Sequence, residues 1–155
     1  MNKKLLIDVI GIILIGLVVV VGYKLSPLLL QKADVTVQPA PGCDLQRAPC
    51  EATLPGGGTV RFSITPRPIP MVAPLQLEAE VTGREASKVE VDFAGVDMNM
   101  GLNRPQLQAA GGGRFTGQGT LPVCVTGTMD WQATLVVETD RERIAVPFRF
   151  VSNHK

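Results

Sequence analysis

The chain has 155 residues and a formal net charge of +1, and it contains 16 glycines and 12 prolines. Long helices tolerate neither residue in their interiors, so this composition favours short strands joined by turns in a domain of about 100 residues. Residues 33–155 carry 11 basic and 13 acidic side chains, which excludes the basic footprint of a nucleic-acid-binding domain.

The first predicted element is an apolar helix over residues 5–23, with a single charged side chain near its start. A helix of this length is about 28 Å long, close to the hydrocarbon thickness of about 30 Å. Lys3 and Lys4 precede it, so the positive-inside bias keeps residues 1–4 in the cytoplasm. A cleaved signal peptide is the alternative, but no small-x-small cleavage site follows. The sequence predicts a single-pass anchor in the inner (cytoplasmic) membrane, with the rest in the periplasm or another extracytoplasmic space.

Residues 24–57 are predicted to form a tether, because they contain five prolines and lead into a run of glycines. A short strand is predicted inside this segment, at residues 34–37. An extracytoplasmic space is often oxidising, so the three cysteines are expected to pair where they can. The simplest disulfide joins Cys43 to Cys50, which enclose a short polar loop. A bridge from Cys124 to one of these two is the competing pairing.

Apolar and polar residues alternate with a period of two in six segments after the tether, as in half-buried strands. The six segments are residues 59–64, 75–81, 88–93, 114–121, 131–137 and 143–150. Pro147 within the last segment indicates a sheet edge or a bulge. Six or seven short antiparallel strands in about 100 residues predict an all-β, immunoglobulin-like β-sandwich over residues 58–155. Trp131 is expected to pack in its core.

Catalytic residues are not apparent in this sequence. The only histidine is His154, the penultimate residue, and a chain end is a poor place to hold a general base. The glycine run at residues 111–113 is not followed by a basic residue at phosphate-loop spacing. We therefore predict that the protein is not an enzyme.

The sequence MNMG at residues 98–101 follows the third alternating segment. Side chains at positions i and i+2 of an extended chain project to the same side, so two thioethers would be offered together. If the strand phase continues, Met98 and Met100 both point away from the core. A bulge at Gly95 would reset that phase.

Thioether sulfur is soft and uncharged, and it suits Cu(I) better than Zn²⁺ or Mg²⁺. We therefore predict a Cu(I) site in which Met98 and Met100 are the primary ligands and Met129 and Cys124 are additional ones. Packing is the alternative interpretation, because methionine is a common gap-filler in protein cores.

Together with its flanks, this motif resembles the FixH and YtkA-like group of proteins. That group carries a Met-x-Met-Gly segment, then a Gly-x-Tyr or Gly-x-Phe hairpin, and then a strand with a conspicuous tryptophan. The corresponding segments here are residues 98–101, 113–115 and 128–131, within a likeness over residues 58–150 plus the helix. Leu102 stands where the group often has histidine, and the three cysteines are not part of its pattern.

The resemblance implies an immunoglobulin-like domain tied to the membrane. It further implies a role in copper handling or in the assembly of a copper-containing respiratory oxidase, by soft-ligand binding and transfer of Cu(I). The alternative function is a protein-interaction module of a membrane complex that uses an exposed methionine surface and binds no metal.

Overall fold

A computed structural model of the protein describes residues 2–29, 33–122 and 127–153. The chain divides into two compact units, Met1–Lys32 and Ala33–Lys155. The described part of the first unit is a single helix, α1, Lys3–Leu29. Its segment Lys3–Leu25 is long and apolar enough to cross a membrane. The helix runs past the predicted end at residue 23 and includes Pro27.

The described residues of the second unit contain nine strands. They are β1 Val35–Thr36, β2 Cys50–Thr53, β3 Thr59–Thr65, β4 Leu75–Thr82, β5 Lys88–Gly95, β6 Gln106–Gly111, β7 Arg114–Gly119, β8 Thr128–Glu138 and β9 Arg143–Asn153. Neighbouring strands pair in the order β1-β9-β8-β5-β6-β7-β4-β3-β2. Only the β1–β9 pair is parallel among these described strands. The prediction of an all-β protein with one N-terminal helix is confirmed.

The sheet folds over on itself. Five strands separate β3 from β9 in the sheet order, which corresponds to about 29 Å across a flat sheet. The rings of Phe62 on β3 and Phe148 on β9 nevertheless have their centroids 5.5 Å apart. The fold occurs at β6, which pairs with β5 at its start and with β7 over the rest of its length.

The strands β3 to β9, lettered A to G, follow the order A-B-E-D and C-F-G along the sheet. This is the strand order of an immunoglobulin domain of the constant type. The narrower assignment as an immunoglobulin-like sandwich stays a prediction.

The predicted inward faces form the core. Alternate apolar residues are buried in all six predicted segments, and Trp131 is fully buried. In β3 and β9 these residues are Val60, Phe62, Ile64, Ile144, Val146, Phe148 and Phe150. Pro147 lies beyond Ala145, the last β9 residue that has a partner on β1, so it sits at an edge position as predicted.

The prediction of a tether over residues 24–57 is wrong for residues 33–57, and the domain does not begin at residue 58. These residues belong to the second unit and include β1 and β2. Several of their apolar side chains are buried in the common core, namely Leu45, Cys50, Ala52 and Leu54. Prolines are compatible with edge strands and turns, so a proline-rich composition does not prevent these side chains from packing.

The predicted disulfide between Cys43 and Cys50 is confirmed, with Cα atoms 5.4 Å apart. Because the chain has three cysteines, this bond leaves Cys124 without a cysteine partner in the same chain. Cys124 itself lies outside the described residues, as does His154.

Candidate functional site

The methionines gather at one end of the β-domain. The loops 66–74, 96–105 and 120–122 meet there. The Val72 amide donates to the Leu121 carbonyl at 2.9 Å, and the side-chain amide of Asn103 donates to the Thr120 carbonyl at 2.8 Å. We call this region the methionine end. Every methionine except Met1 lies in it, and they are Met71, Met98, Met100 and Met129.

Two of the predicted ligands come together over Gly95. The methyl carbon of Met129 and the Cγ of Met100 lie 2.2 and 3.3 Å from the position that a Cβ on Gly95 would occupy. The carbonyl oxygen of Met98 is 2.6 Å from the same position. Methionines from two separate segments of the chain therefore pack on one glycine at the end of β5.

Burial differs among the three methionines. Met129 is 7% exposed and Met98 is 44% exposed, whereas Met100 is half-buried and packs against the core. The condition that the strand phase continues is therefore not met: Met98 is exposed, but Met100 packs against the core. The physical reason is that β5 ends at Gly95 and the chain bends over residues 96–98, so the strand phase is not carried forward. Gly95 keeps its register with Trp131 and hosts no bulge.

The residues between and after the two methionines build a turn. The side-chain oxygen of Asn99 accepts a hydrogen bond from the Gly101 amide at 3.0 Å, and Gly101 has a φ of 78°. An Asx turn followed by a left-handed glycine reverses the chain in a small space. The sequence MNMG therefore encodes a tight turn that places two thioethers at different depths.

Thioethers are the metal ligands that this end offers. Within residues 2–29, 33–122 and 127–153, no group of three or more His, Cys, Asp or Glu side chains could hold a metal ion. A metal site here would depend on the soft sulfurs of Met98, Met100 and Met129, which select Cu(I) over hard cations. Cys124, the fourth predicted ligand, belongs to the connection between β7 and β8 and lies outside the described residues.

The three segments of the FixH-like resemblance do not all meet. Residues 98–101 and 128–131 lie together, because Gly95 pairs with Trp131 across β5 and β8. Residues 113–115 start β7 at the opposite end of the domain, where the carbonyl oxygen of Val81 leaves no room for a Cβ on Gly113. Close packing therefore explains Gly113, whereas Gly111 and Gly112 have open space around them and positive φ angles of 87° and 62°.

One feature of this end escaped the sequence analysis. Among the described residues of the second unit, the exposed large apolar side chains all lie at the methionine end: Val72, Val96, Met98, Leu102 and Val151. Val72 is 61% exposed and has a φ of 63°, a conformation that is unfavourable for a β-branched residue. No period in the sequence identifies such a surface, because exposure depends on which loops meet.

No protein-family model, curated protein or solved structure matches this chain. The resemblance to the FixH and YtkA-like group consequently depends on three short motifs and stays a prediction. The methionine end is the feature from which a function can be argued.

Proposed function

We propose that the protein is a membrane-anchored, periplasmic copper-handling protein that binds Cu(I) at the methionine end and passes it to a partner. A copper-containing respiratory oxidase under assembly is the class of partner that the FixH-like motifs imply. Convergence of Met100 and Met129 on Gly95, with Met98 beside them, is the observation that carries the proposal. The segment Lys3–Leu25 would be the anchor, with the lysines at its start in the cytoplasm.

The difference in burial among the methionines supports transfer by ligand exchange. Met129 and Met100 would hold the ion from the inner side, and exposed Met98 would be the ligand that a partner replaces first. Methionine has three rotatable bonds, so its sulfur can reorient without a backbone movement. A thioether is uncharged and does not compensate the charge of the ion. A partner site with thiolate or imidazole ligands would therefore withdraw Cu(I) from this site.

Competition for Cu(I) against a chromophoric chelator tests the proposal on the full chain in detergent micelles. The test variant is Met100→Leu/Met129→Leu, and the matched control is Met71→Leu. Replacing methionine by leucine conserves volume and usually costs less than about 1.5 kcal/mol, so the variants should fold. Trp131 is the only tryptophan and faces inward two residues from Met129, so its emission reports both folding and metal binding.

We expect the wild type and the Met71→Leu control to compete for Cu(I), and the double variant to lose at least about tenfold in affinity. If the wild type does not compete for Cu(I), or if the double variant competes equally well, the assignment of the Cu(I) site to these methionines is wrong.

A second candidate function is a protein-interaction module that binds no metal. The five exposed apolar side chains at the methionine end favour it, because monomeric proteins rarely concentrate such residues in one place without a partner. In that case the double variant would keep its partner and the wild type would not compete for Cu(I).

A further inference from the structure

A hollow of about 370 Å³ lies beside the methionine end, on the outer face of β8 and β9. We call it the β8–β9 hollow. Its floor includes the outward-facing residues Asp130 and Arg149, its apolar walls include Val96 and Val151, and the segment 43–46 borders it. The volume falls within the range of about 300–1,000 Å³ that is typical of ligand sites.

The hollow contains two opposite charges that are not paired. Within the described residues, neither Asp130 nor Arg149 makes an ion pair or a side-chain hydrogen bond, and both are exposed. Asp130 is opposite Val151 in the β8–β9 register, so Asp130 and Arg149 are diagonal neighbours, and the expected distance between their Cα atoms is about 7–8 Å. At the other end of the same two strands, Arg143 and Glu138 are directly opposite and form an ion pair of 3.0 Å.

The wall of the hollow is held in place before any ligand arrives. The disulfide between Cys43 and Cys50 ties segment 43–46 to β2. The side chain of Gln46 donates to the carbonyl oxygen of Val151 and accepts from the amide of Ile69 at 2.7 Å. A preformed wall lowers the ordering cost of binding.

We propose that the β8–β9 hollow docks an extended segment of a partner protein. This segment places a basic side chain on Asp130 and an acidic side chain on Arg149, two residues apart, and covers Val96 and Val151 with apolar side chains. The charge pattern supports this ligand, because residues i and i+2 of an extended chain face the same side about 6.6–6.8 Å apart. That spacing matches the diagonal of Asp130 and Arg149, whereas the amino and carboxyl groups of a single amino acid are closer together. The proposal does not depend on metal binding.

Defined peptides test the proposal on the full chain in nanodiscs, with a metal chelator present. The acetylated and amidated peptides VSKSESV and VSESKSV present both charges and both valines on one face, in the two chain directions. The peptide VSKESSV has the same composition but divides the charges between the two faces. Binding is followed by calorimetry.

We expect at least one alternating peptide to bind saturably at low ionic strength. Its affinity should fall in about 1 M salt, where the Debye length is about 3 Å. Asp130→Asn and Arg149→Gln should each lower the affinity for this peptide by about tenfold. The matched controls Asp140→Asn and Arg141→Gln are at the opposite end, with side chains 84% and 80% exposed, and should bind like the wild type.

Three outcomes would overturn the proposal: neither alternating peptide saturates, VSKESSV or free lysine and glutamate bind equally tightly, or the alternating peptide keeps its affinity in Asp130→Asn and Arg149→Gln. The variant Met100→Leu/Met129→Leu should retain peptide binding. A failed copper titration and a failed peptide titration are therefore separate results.

Discussion

The methyl carbon of Met129 lies 2.2 Å from the point where a Cβ on Gly95 would stand, so the methionine occupies the space that this glycine leaves open. The φ angle of Gly95 is outside the positive range, unlike those of most loop glycines in this domain. Gly95 is therefore needed for its lack of a side chain and not for its conformational freedom. The same absence lets Met98 and Met100 approach the end of β8.

We predict that Gly95→Ala destabilises the domain by about 1–3 kcal/mol, because the new methyl group would overlap Met129 and the Met98 carbonyl. The free energy of unfolding is measured by urea denaturation of the full chain in micelles, followed by Trp131 emission. Gly119→Ala is the matched control in a strand. Its Cβ would meet only side-chain atoms, at 3.3–3.4 Å, so the loss should be smaller. Equal losses in the two variants would contradict the packing of methionines on Gly95.

Val72→Gly should leave stability unchanged or raise it by up to about 1 kcal/mol. Left-handed backbone costs an ordinary residue about 1–2 kcal/mol, and glycine avoids this cost while adding entropy to the unfolded chain. The side chain of Val72 is exposed, so little packing is lost. Val151→Gly is the control: Val151 is 46% exposed but lies in β9, and its replacement should destabilise by about 0.5–1 kcal/mol. If Val72→Gly costs as much as the control, the φ of 63° is not a source of strain.

The affinity for Cu(I) should be nearly independent of pH between about 5.5 and 8 if thioethers alone bind the ion, because they carry no proton to displace. A cysteine ligand would behave differently. Its thiol must lose a proton, so affinity would rise with pH up to the thiol pKa of about 8.5. Chelator competition across this range, with Cys124→Ser alongside, separates the two cases. An affinity that rises with pH in the wild type and is flat in Cys124→Ser would add Cys124 to the ligands.

Removal of the disulfide by Cys43→Ala/Cys50→Ala should lower the free energy of unfolding by about 2–3 kcal/mol, as expected from a closed loop of this length. Peptide binding in the β8–β9 hollow should weaken as well, because segment 43–46 loses its covalent attachment to β2. The wild type treated with a thiol reductant serves as the comparison and should show the same two losses. Unchanged peptide binding in both samples would show that the wall does not need the disulfide.

Local sequence patterns predicted much of the fold. The strands β3, β4, β5, β8 and β9 alternate apolar and polar residues, and their inward faces are buried as predicted. The strand β6 escaped prediction because Leu107 is its only buried residue, so it carries no alternation. The prediction of a tether in the proline-rich segment before residue 58 is wrong for a related reason. Composition indicates whether a chain can form long regular elements, but it does not indicate whether the few apolar side chains of that segment pack in a core.

Sequence alone determined the apolar N-terminal helix and the inward face of each long strand, because hydropathy and a period of two act between near neighbours in the chain. The structure chose the pairing of Cys43 with Cys50 over the competing bridge to Cys124. The depth of each methionine and the opposed charges of Asp130 and Arg149 in one hollow were decided only by tertiary structure. They depend on how strand ends meet once the sheet has folded at β6. Contacts between residues distant in sequence depend on the register of strand pairing and on the space left by a glycine such as Gly95. A local sequence pattern does not predict them.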